Sequence, residues 1–294
     1  MLKLKEKIFL LSQVMLISFL LGVCAQAENI KQEIEEENAE LYHLMLIGVD
    51  RRDDSWEGNS DTMMLVSIND EKEQVSMISM MRDMGVNIPG IGLTKMNASN
   101  ASGGPDLVLE TVQDNFGVDV KRYASVDFDD VIEIVDAVGG VDLTLSDAEV
   151  ENANANISYI CTIKGMSAAS YLFPCGGTYH CDGMQALGYA RIRYVGNADY
   201  ERTERQRTVM TEIMNKVKEM DTAELLAFAQ NVIPLVDHNI PVSELMELFL
   251  KVSELSEYEL VKDRIPYDGL FYSQNEMLIP DWPATLERLN ETLY

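Results

Sequence analysis

Positive charge is what this chain has least of: 23 of its 294 residues are Lys or Arg against 49 Asp or Glu, a formal net charge of −26 at pH 7. Nucleic-acid binding needs a basic footprint, so this balance argues against it. The same field repels anions at long range, but a Debye length of about 8 Å screens most of it and leaves contact distances to local clusters. The sequence also has no internal repeat, no Gly-rich phosphate loop and no Gly-x-Ser-x-Gly elbow. Those absences count against a solenoid, a P-loop NTPase and a hydrolase of the nucleophile-elbow type. Histidine is limited to His43, His180 and His238. Cys161, Cys175 and Cys181 could make a Cys3His zinc site with His180, although their irregular spacing counts against it. In an exported chain one disulfide among them is expected, with the pair left open.

Against that scarcity, five arginines (Arg191, Arg193, Arg202, Arg205 and Arg207) fall within Gly188 to Met210. Arg191 and Arg193 are two apart in an apolar-flanked run, so a strand over Leu187 to Val195 would point both to one face. Arg202, Arg205 and Gln206 are spaced i, i+3 and i+4, one surface patch on a helix. Gly196-Asn197-Ala198-Asp199 between them reads as a turn that supplies the helix N-cap. Strand, turn and helix would bring guanidinium groups together at a helix N-terminus, a site suited to a doubly negative oxyanion such as pyrophosphate. The bland alternative is a solvated face in which Glu201 and Glu204 pair with Arg205 and Arg207.

The first 27 residues, with Lys3, Lys5 and Lys7 before an apolar run and Ala25-Gln26-Ala27 after it, read as a signal peptide or membrane anchor. Either places the rest of the chain outside the cytoplasm. Residues 28–43 form an acidic linker. From there Leu44 to Val49, Thr62 to Ile68 and Val75 to Met80 read as strands, the last two a hairpin. Several carry Asp or Arg at an end, where an α/β sheet offers a ligand crevice. Pro89 to Ser102 reads as a loop, and Pro105 as the first turn of a helix to about Phe116. Tyr123 to Val126 is an expected strand, Asp127 caps a helix, and Val141 to Leu145 returns as a strand. Glu149 to Met184 reads as an irregular insertion or flap. Helices are expected to about Met220, over Thr222 to Val232 and over Ser243 to Ser256.

These pieces, in order, resemble the LytR-CpsA-Psr family. The matching text is IGVDRR, NSDTMMLVSIN, VSMISMMRD, KMN, GG, VDFDDVIEIVDAVGGVDL and ALGYARIRYVGNADYERTERQ, over roughly Leu44 to Lys218. The resemblance implies an α/β fold, a three-layer α-β-α sandwich around a central mixed sheet with C-terminal helices. It implies a catalytic domain over 44–220 and a helical extension, 221–294, packed on the same domain. It also implies an exported enzyme, membrane-anchored or secreted to the cell wall, that moves a phosphoglycan (teichoic acid, capsule or a related polymer) from a polyprenyl-pyrophosphate carrier to peptidoglycan with Mg²⁺. Carried over by position, Asp50 and Asp61 would stand near the metal. Arg82, Arg191, Arg193, Arg202 and Gln206 would form the pyrophosphate clamp, joined by Arg52 and by Lys95 of the K-x-N element. Asp61, Arg82, Asp199 and Arg202 would carry the catalysis, with Asp199 either the base or an N-cap that orients Arg202. Two positions depart from the family pattern: Asn59 stands where Arg is usual, and Met81 where Pro is usual. The remaining alternatives are a lipid-diphosphate pyrophosphatase and a non-catalytic binding protein with a regulatory role.

Overall fold

The structure, a computed structural model, describes residues 41–50, 58–196 and 199–294. The side chains of Asp50, Asp199 and Ser253 lie outside that description, as do residues 1–40, where the signal or anchor and most of the acidic linker are expected. Among the described residues no helix is long and apolar enough to cross a membrane.

The centre is a six-stranded mixed sheet whose strands, from edge to edge, are residues 259–265, 74–80, 59–69, 42–50, 122–126 and 237–238. β1 (Tyr42–Asp50) lies antiparallel to β2 (Asn59–Asn69) and parallel to β6 (Arg122–Val126). Its alternation sorts the faces: Met45, Ile47 and Val49 are buried, while Leu44, Leu46 and Gly48 are half-buried. β2 returns as β3 (Gln74–Met80), in keeping with the hairpin signal. Helix α1 (Ala98–Phe116) and helix α8 (Trp282–Leu293) close the Met45 face, contributing Val108, Val112, Leu289 and Leu293 to its core. On the opposite face, Arg207 of α5 (Asp199–Glu219) donates to Ser79 Oγ of β3, so helices cover both sides. A second core joins α2 (Phe128–Ala137), α3 (Asp147–Ile163) and α4 (Gly183–Ala190) to the hairpin of β7 (Val141–Leu145) and β8 (Gly177–Cys181).

Four expectations are corrected here. Leu187 to Val195 is not a strand: it is the end of α4 followed by a turn. Asp182 and Gln185 form a reciprocal capping box that starts α4, and its small residues allow close packing on α3. A Cβ at Gly188 would lie 2.5 Å from Ile157 Cγ1. Next, Pro89 to Ser102 is not a plain loop, because β4 (Gly85–Ile88) and β5 (Gly92–Lys95) pair as a short hairpin before α1. Pro105 then follows a break in α1 at Gly103 and Gly104. The expected flap, Glu149 to Met184, is mostly α3 and β8, with Ser146 and Glu149 capping α3. Finally, Cys161, Cys175 and Cys181 are all free thiols.

The C-terminal part contains α6 (Thr222–Val232) and α7 (Val242–Leu255), within a residue of their expected bounds. It is not helical throughout. Two-residue β9 (Asp237–His238) pairs with β6, and β10 (Glu259–Ile265) joins the sheet edge parallel to β3. The hairpin of β11 (Phe271–Gln274) and β12 (Met277–Pro280) comes next.

Candidate anion-binding site

The site starts from an irregularity in the β1–β2 ladder. Gly48 pairs with Thr62 but Val49 pairs with Ser60, so Asp61 is the extra residue of a bulge. The approach is tight: a Cβ at Gly48 would sit 2.9 Å from Thr62 Cβ, which only glycine avoids. The bulge therefore aims the Asp61 carboxylate out of the ladder at the end of the sheet.

Three arginines from three segments meet it. Arg82, just beyond β3, donates from NH1 to Asp61 Oδ1 at 2.8 Å. Arg193, in the turn after α4, donates from NH2 to Oδ2 at 2.8 Å. Arg202, in the first turn of α5 and 2% exposed, directs NH2 to the Asp61 main-chain oxygen at 3.4 Å. Burial pushes the Asp61 carboxyl up, but Arg202, Arg193 and Arg82 together outweigh it and hold the group below its ordinary range. Asp61 is thus ionised, and it gathers three guanidiniums from three segments at one point.

Three main-chain bonds hold the segment around Arg82, one of them from Asn97 N to Arg82 O at 3.1 Å. Met81 N donates to Ile265 O of β10 at 2.9 Å, and Leu278 N of β12 donates to Asp83 O at 2.9 Å. Lys95 does not reach Asp61 directly; its Nζ is 3.0 Å from Asp83 Oδ1 and 4.0 Å from Glu276 Oε2. Asp83 Oδ2 in turn lies 3.6 Å from Arg82 Nε.

The remaining candidates separate. Arg191 stacks its guanidinium 4.0 Å above the centroid of Phe128 in α2 and does not join the Asp61 group. Gln206 is half-buried one turn beyond Arg202. Arg52 and the side chains of Asp50 and Asp199 lie outside the described residues, although Asp199 opens α5. Arg205, grouped with Arg202 by spacing, is only 4% exposed and serves the scaffold. It bonds Glu149 Oε1 at 2.9 Å and Glu201 Oε2 at 3.0 Å, and its NH1 reaches Ile192 O at 3.4 Å, bracing the turn that carries Arg193. Arg207 pairs with Glu204, so the pairs of the bland reading are present for these two arginines, but both are buried and form no solvated face. Spacing also misses Asp83, whose only signal is its place beside Arg82. The main-chain anchors at Ile265 and Leu278 carry none.

A family model, the LytR_cpsA_psr family, matches residues 22–292. The chain belongs to this family. Among similar proteins is "Polyisoprenyl-teichoic acid--peptidoglycan teichoic acid transferase TagU" of Enterococcus faecalis, 33% identical over 196 residues, 65% of this chain and 59% of that protein. "Biofilm regulatory protein A" of Streptococcus mutans is 30% identical over 194 residues, 62% of this chain and 45% of that protein. The chain thus spans about half the length of these curated relatives. The fold matches Bacillus subtilis YwtF (TagT), a LytR-CPS2A-psr family protein solved with octaprenyl pyrophosphate bound, with a TM-score of 0.63 at 23% identity, over 87% of this chain and 91% of that one.

Proposed function

We propose that the chain is an extracytoplasmic phosphotransferase that moves a phosphoglycan from a polyprenyl-pyrophosphate carrier to a peptidoglycan hydroxyl. The observation that carries this reading is the set of three arginines around Asp61. Phosphoryl transfer asks a protein mainly for positioning and charge neutralisation. Guanidiniums converging on one point suit a diphosphate, and each charge-assisted bond contributes about 1.5–3 kcal/mol. The acceptor oxygen would attack the phosphorus that bears the glycan, the bond to the bridging oxygen would break, and polyprenyl phosphate would leave. The hydroxyl proton would pass to a carboxylate, for which Asp199 at the start of α5 is the candidate.

A hard cation such as Mg²⁺ fits the donor set in company with the ligand. Among the described residues no group of three or more Asp, Glu, His or Cys side chains gathers to hold a metal. Asp61, however, is ionised and keeps lone pairs beyond those used by Arg82 and Arg193. Asp61, with Asp50 as the second carboxylate expected from the sequence, would hold it while diphosphate oxygens complete its shell. When bound it would supply further neutralisation of the diphosphate charge.

Space for a lipid tail is supported by the unfinished second face of the sheet. Leu44, Leu46, Val66 and Ile68 are only half-buried there. Helix α7 runs from Glu244, which pairs with Arg122 of β6, to Lys251, which pairs with Asp70 beyond β2, so it crosses that face. Its Leu245, Met246, Leu248, Phe249 and Val252 are likewise half-buried. The name of the S. mutans relative keeps a regulatory binding protein as the second reading.

The test is the purified protein with a short-chain polyprenyl-diphosphoglycan, with and without peptidoglycan oligomers and Mg²⁺. Acceptor-dependent release of polyprenyl phosphate, lost in Arg193→Ala, is expected. Equal release without acceptor would instead identify a pyrophosphatase. Binding without turnover would identify the regulatory protein.

A further inference from the structure

The β4–β5 hairpin has one end at the anion site and the other end in a cleft. Lys95, its last residue, lies 3.0 Å from Asp83 Oδ1, next along the chain from Arg82. Gly92 begins β5 three residues earlier, about 10 Å away at roughly 3.3 Å per residue. There a cleft of about 620 Å³ opens between the turn of residues 89–92, the end of α1 and the first turns of α8. Its volume falls in the range of small-ligand sites, about 300–1,000 Å³.

The walls are held in place. Asn115 of α1 accepts from Asn87 N at 2.9 Å and donates to Asn87 O at 2.8 Å, which fastens the hairpin to the helix. Trp282 packs against Phe116 with ring centroids 5.4 Å apart, and Asp281 N donates to Leu270 O at 2.8 Å, which fixes the start of α8. Gly90 and Gly92 turn the chain at φ of +73° and +98°. A Cβ on either would meet no atom within 4 Å, so the main chain of the turn lies open.

The chemistry of the walls selects among ligands. Ile91 and Leu286 are exposed beside the half-buried Trp282 indole and supply apolar surface. Asn87 and Asp114 are exposed and supply an amide and a carboxylate. Among the described residues no lysine or arginine lines the cleft. A phosphate-bearing polymer would meet the Asp114 charge with no counter-charge to offset it. A lipid surface would desolvate Asn87 and Asp114 without replacing their hydrogen bonds to water. A neutral saccharide has apolar ring faces and hydroxyl and acetamido edges, and so suits both kinds of wall.

We propose that this cleft binds the uncharged N-acetylated sugars of the acceptor glycan. The hairpin then spans both substrates, with the diphosphate at its Lys95 end and the acceptor strand at its Ile91 end. The acceptor role rests on the transferase reading above; the preference for a neutral saccharide rests on the cleft alone.

The test titrates the full chain with an N-acetylglucosamine tetramer, by calorimetry and by NMR of the Trp282 indole N–H. Loss of that signal in Trp282→Phe assigns it. Saturable binding that shifts the signal is expected. Leu286→Asp removes apolar wall and adds a second carboxylate, so it should weaken tetramer binding about tenfold and leave pyrophosphate binding unchanged. Thermal melts verify that the variant is folded. No saturable binding, or binding that leaves the Trp282 signal in place, would overturn the proposal. Equal tetramer affinity in the parent and in folded Leu286→Asp would do the same, since the sugar would then sit elsewhere. A signal shifted by phosphatidylglycerol vesicles and not by the tetramer would identify a membrane contact instead. If the tetramer binds here but release of polyprenyl phosphate is not acceptor-dependent, the saccharide site stands and the transferase reading falls.

Discussion

Asp61 Oδ2 and Arg193 NH2 are 2.8 Å apart although 132 residues separate them in the chain. The contact ties the bulge at the start of β2 to the turn after α4. It also means the protein supplies its own counter-charge to the arginines it gathers. Without it, like charges held this close would repel one another at an effective dielectric far below that of water. Asp61 therefore organises the arginine cluster as well as occupying its centre.

The depressed Asp61 pKa fixes a pH dependence. A carboxyl whose folded pKa lies below its unfolded value of 3.8 contributes stability that is fully present above that value. The contribution is lost as pH falls through the folded pKa. The stability difference between the parent and Asp61→Asn should be constant from pH 7 to about pH 5 and shrink below pH 4. Urea unfolding at stepped pH measures it, and a difference that grows on acidification would reverse the sign.

Arg202 and Arg205 sit one helical turn apart and should respond oppositely to substitution. Arg205→Met leaves Glu149 without the cation it pairs with, in a site where the guanidinium is almost wholly buried. A stability loss of about 3 kcal/mol is expected. Arg202→Met removes a guanidinium that faces Asp61 and should chiefly reduce pyrophosphate affinity. Melts and pyrophosphate titrations on both variants separate scaffold from clamp. Equal affinity losses in the two would refute the division.

His43 gives a second pH signature, away from the site. Burial lowers its pKa to about 4, only partly opposed by Asp119, and Nδ1 bonds Ser67 Oγ at 2.7 Å. The folded pKa lies below the unfolded one, so the unfolded chain takes up the proton first. Stability should be unaffected by this group above pH 6.5 and fall by about 3 kcal/mol toward pH 4. Comparing the parent with His43→Leu in urea at pH 7 and pH 4.5 tests it. An identical pH dependence in the two would exclude His43 as the cause.

Local signals made much of this fold legible. The apolar runs of β1 to β3, the Asp127 cap and the bounds of α6 and α7 rest on such signals, and they were sufficient there. The failures share a cause in distant partners. The Asn-rich stretch of α3 looks like a loop because asparagine is a poor helix former. Yet Asn154 exchanges bonds with the main chain of Phe173, and Asn156 donates to Gly188 O. Strand β10, with Lys262, Asp263 and Arg264 near its centre, lacks an apolar pattern because it lies at the sheet edge. At the site, spacing collected the arginines but did not sort them. Arg202 and Arg205 differ in whether Asp61 or Glu149 waits across the gap, and neither partner is visible within the helix.

The edge strand leads to the last prediction, because the C-terminal part holds Arg82 in place. Removing residues 259–294 would strip β10 from β3, a strand whose residues 75–80 are all buried, and expose a long apolar edge. Such an edge invites aggregation, so the truncated chain should be insoluble or unfolded. A gentler change isolates the link to the site. Leu278→Pro deletes the N–H that bonds Asp83 O while leaving β10 and its Ile265 anchor intact. The variant should keep a cooperative melt, a few degrees lower for a loss of about 1 kcal/mol, and bind pyrophosphate more weakly because the Arg82–Asp83 segment is freed on one side. The matched change Ser273→Pro, on the facing strand of the same hairpin, controls for damage to the hairpin itself. If both substitutions weaken binding equally, the hairpin acts as a whole and the Leu278 bond has no special part. If only Leu278→Pro does, a single main-chain hydrogen bond from the tail sets the position of a clamp arginine nearly 200 residues earlier in the chain.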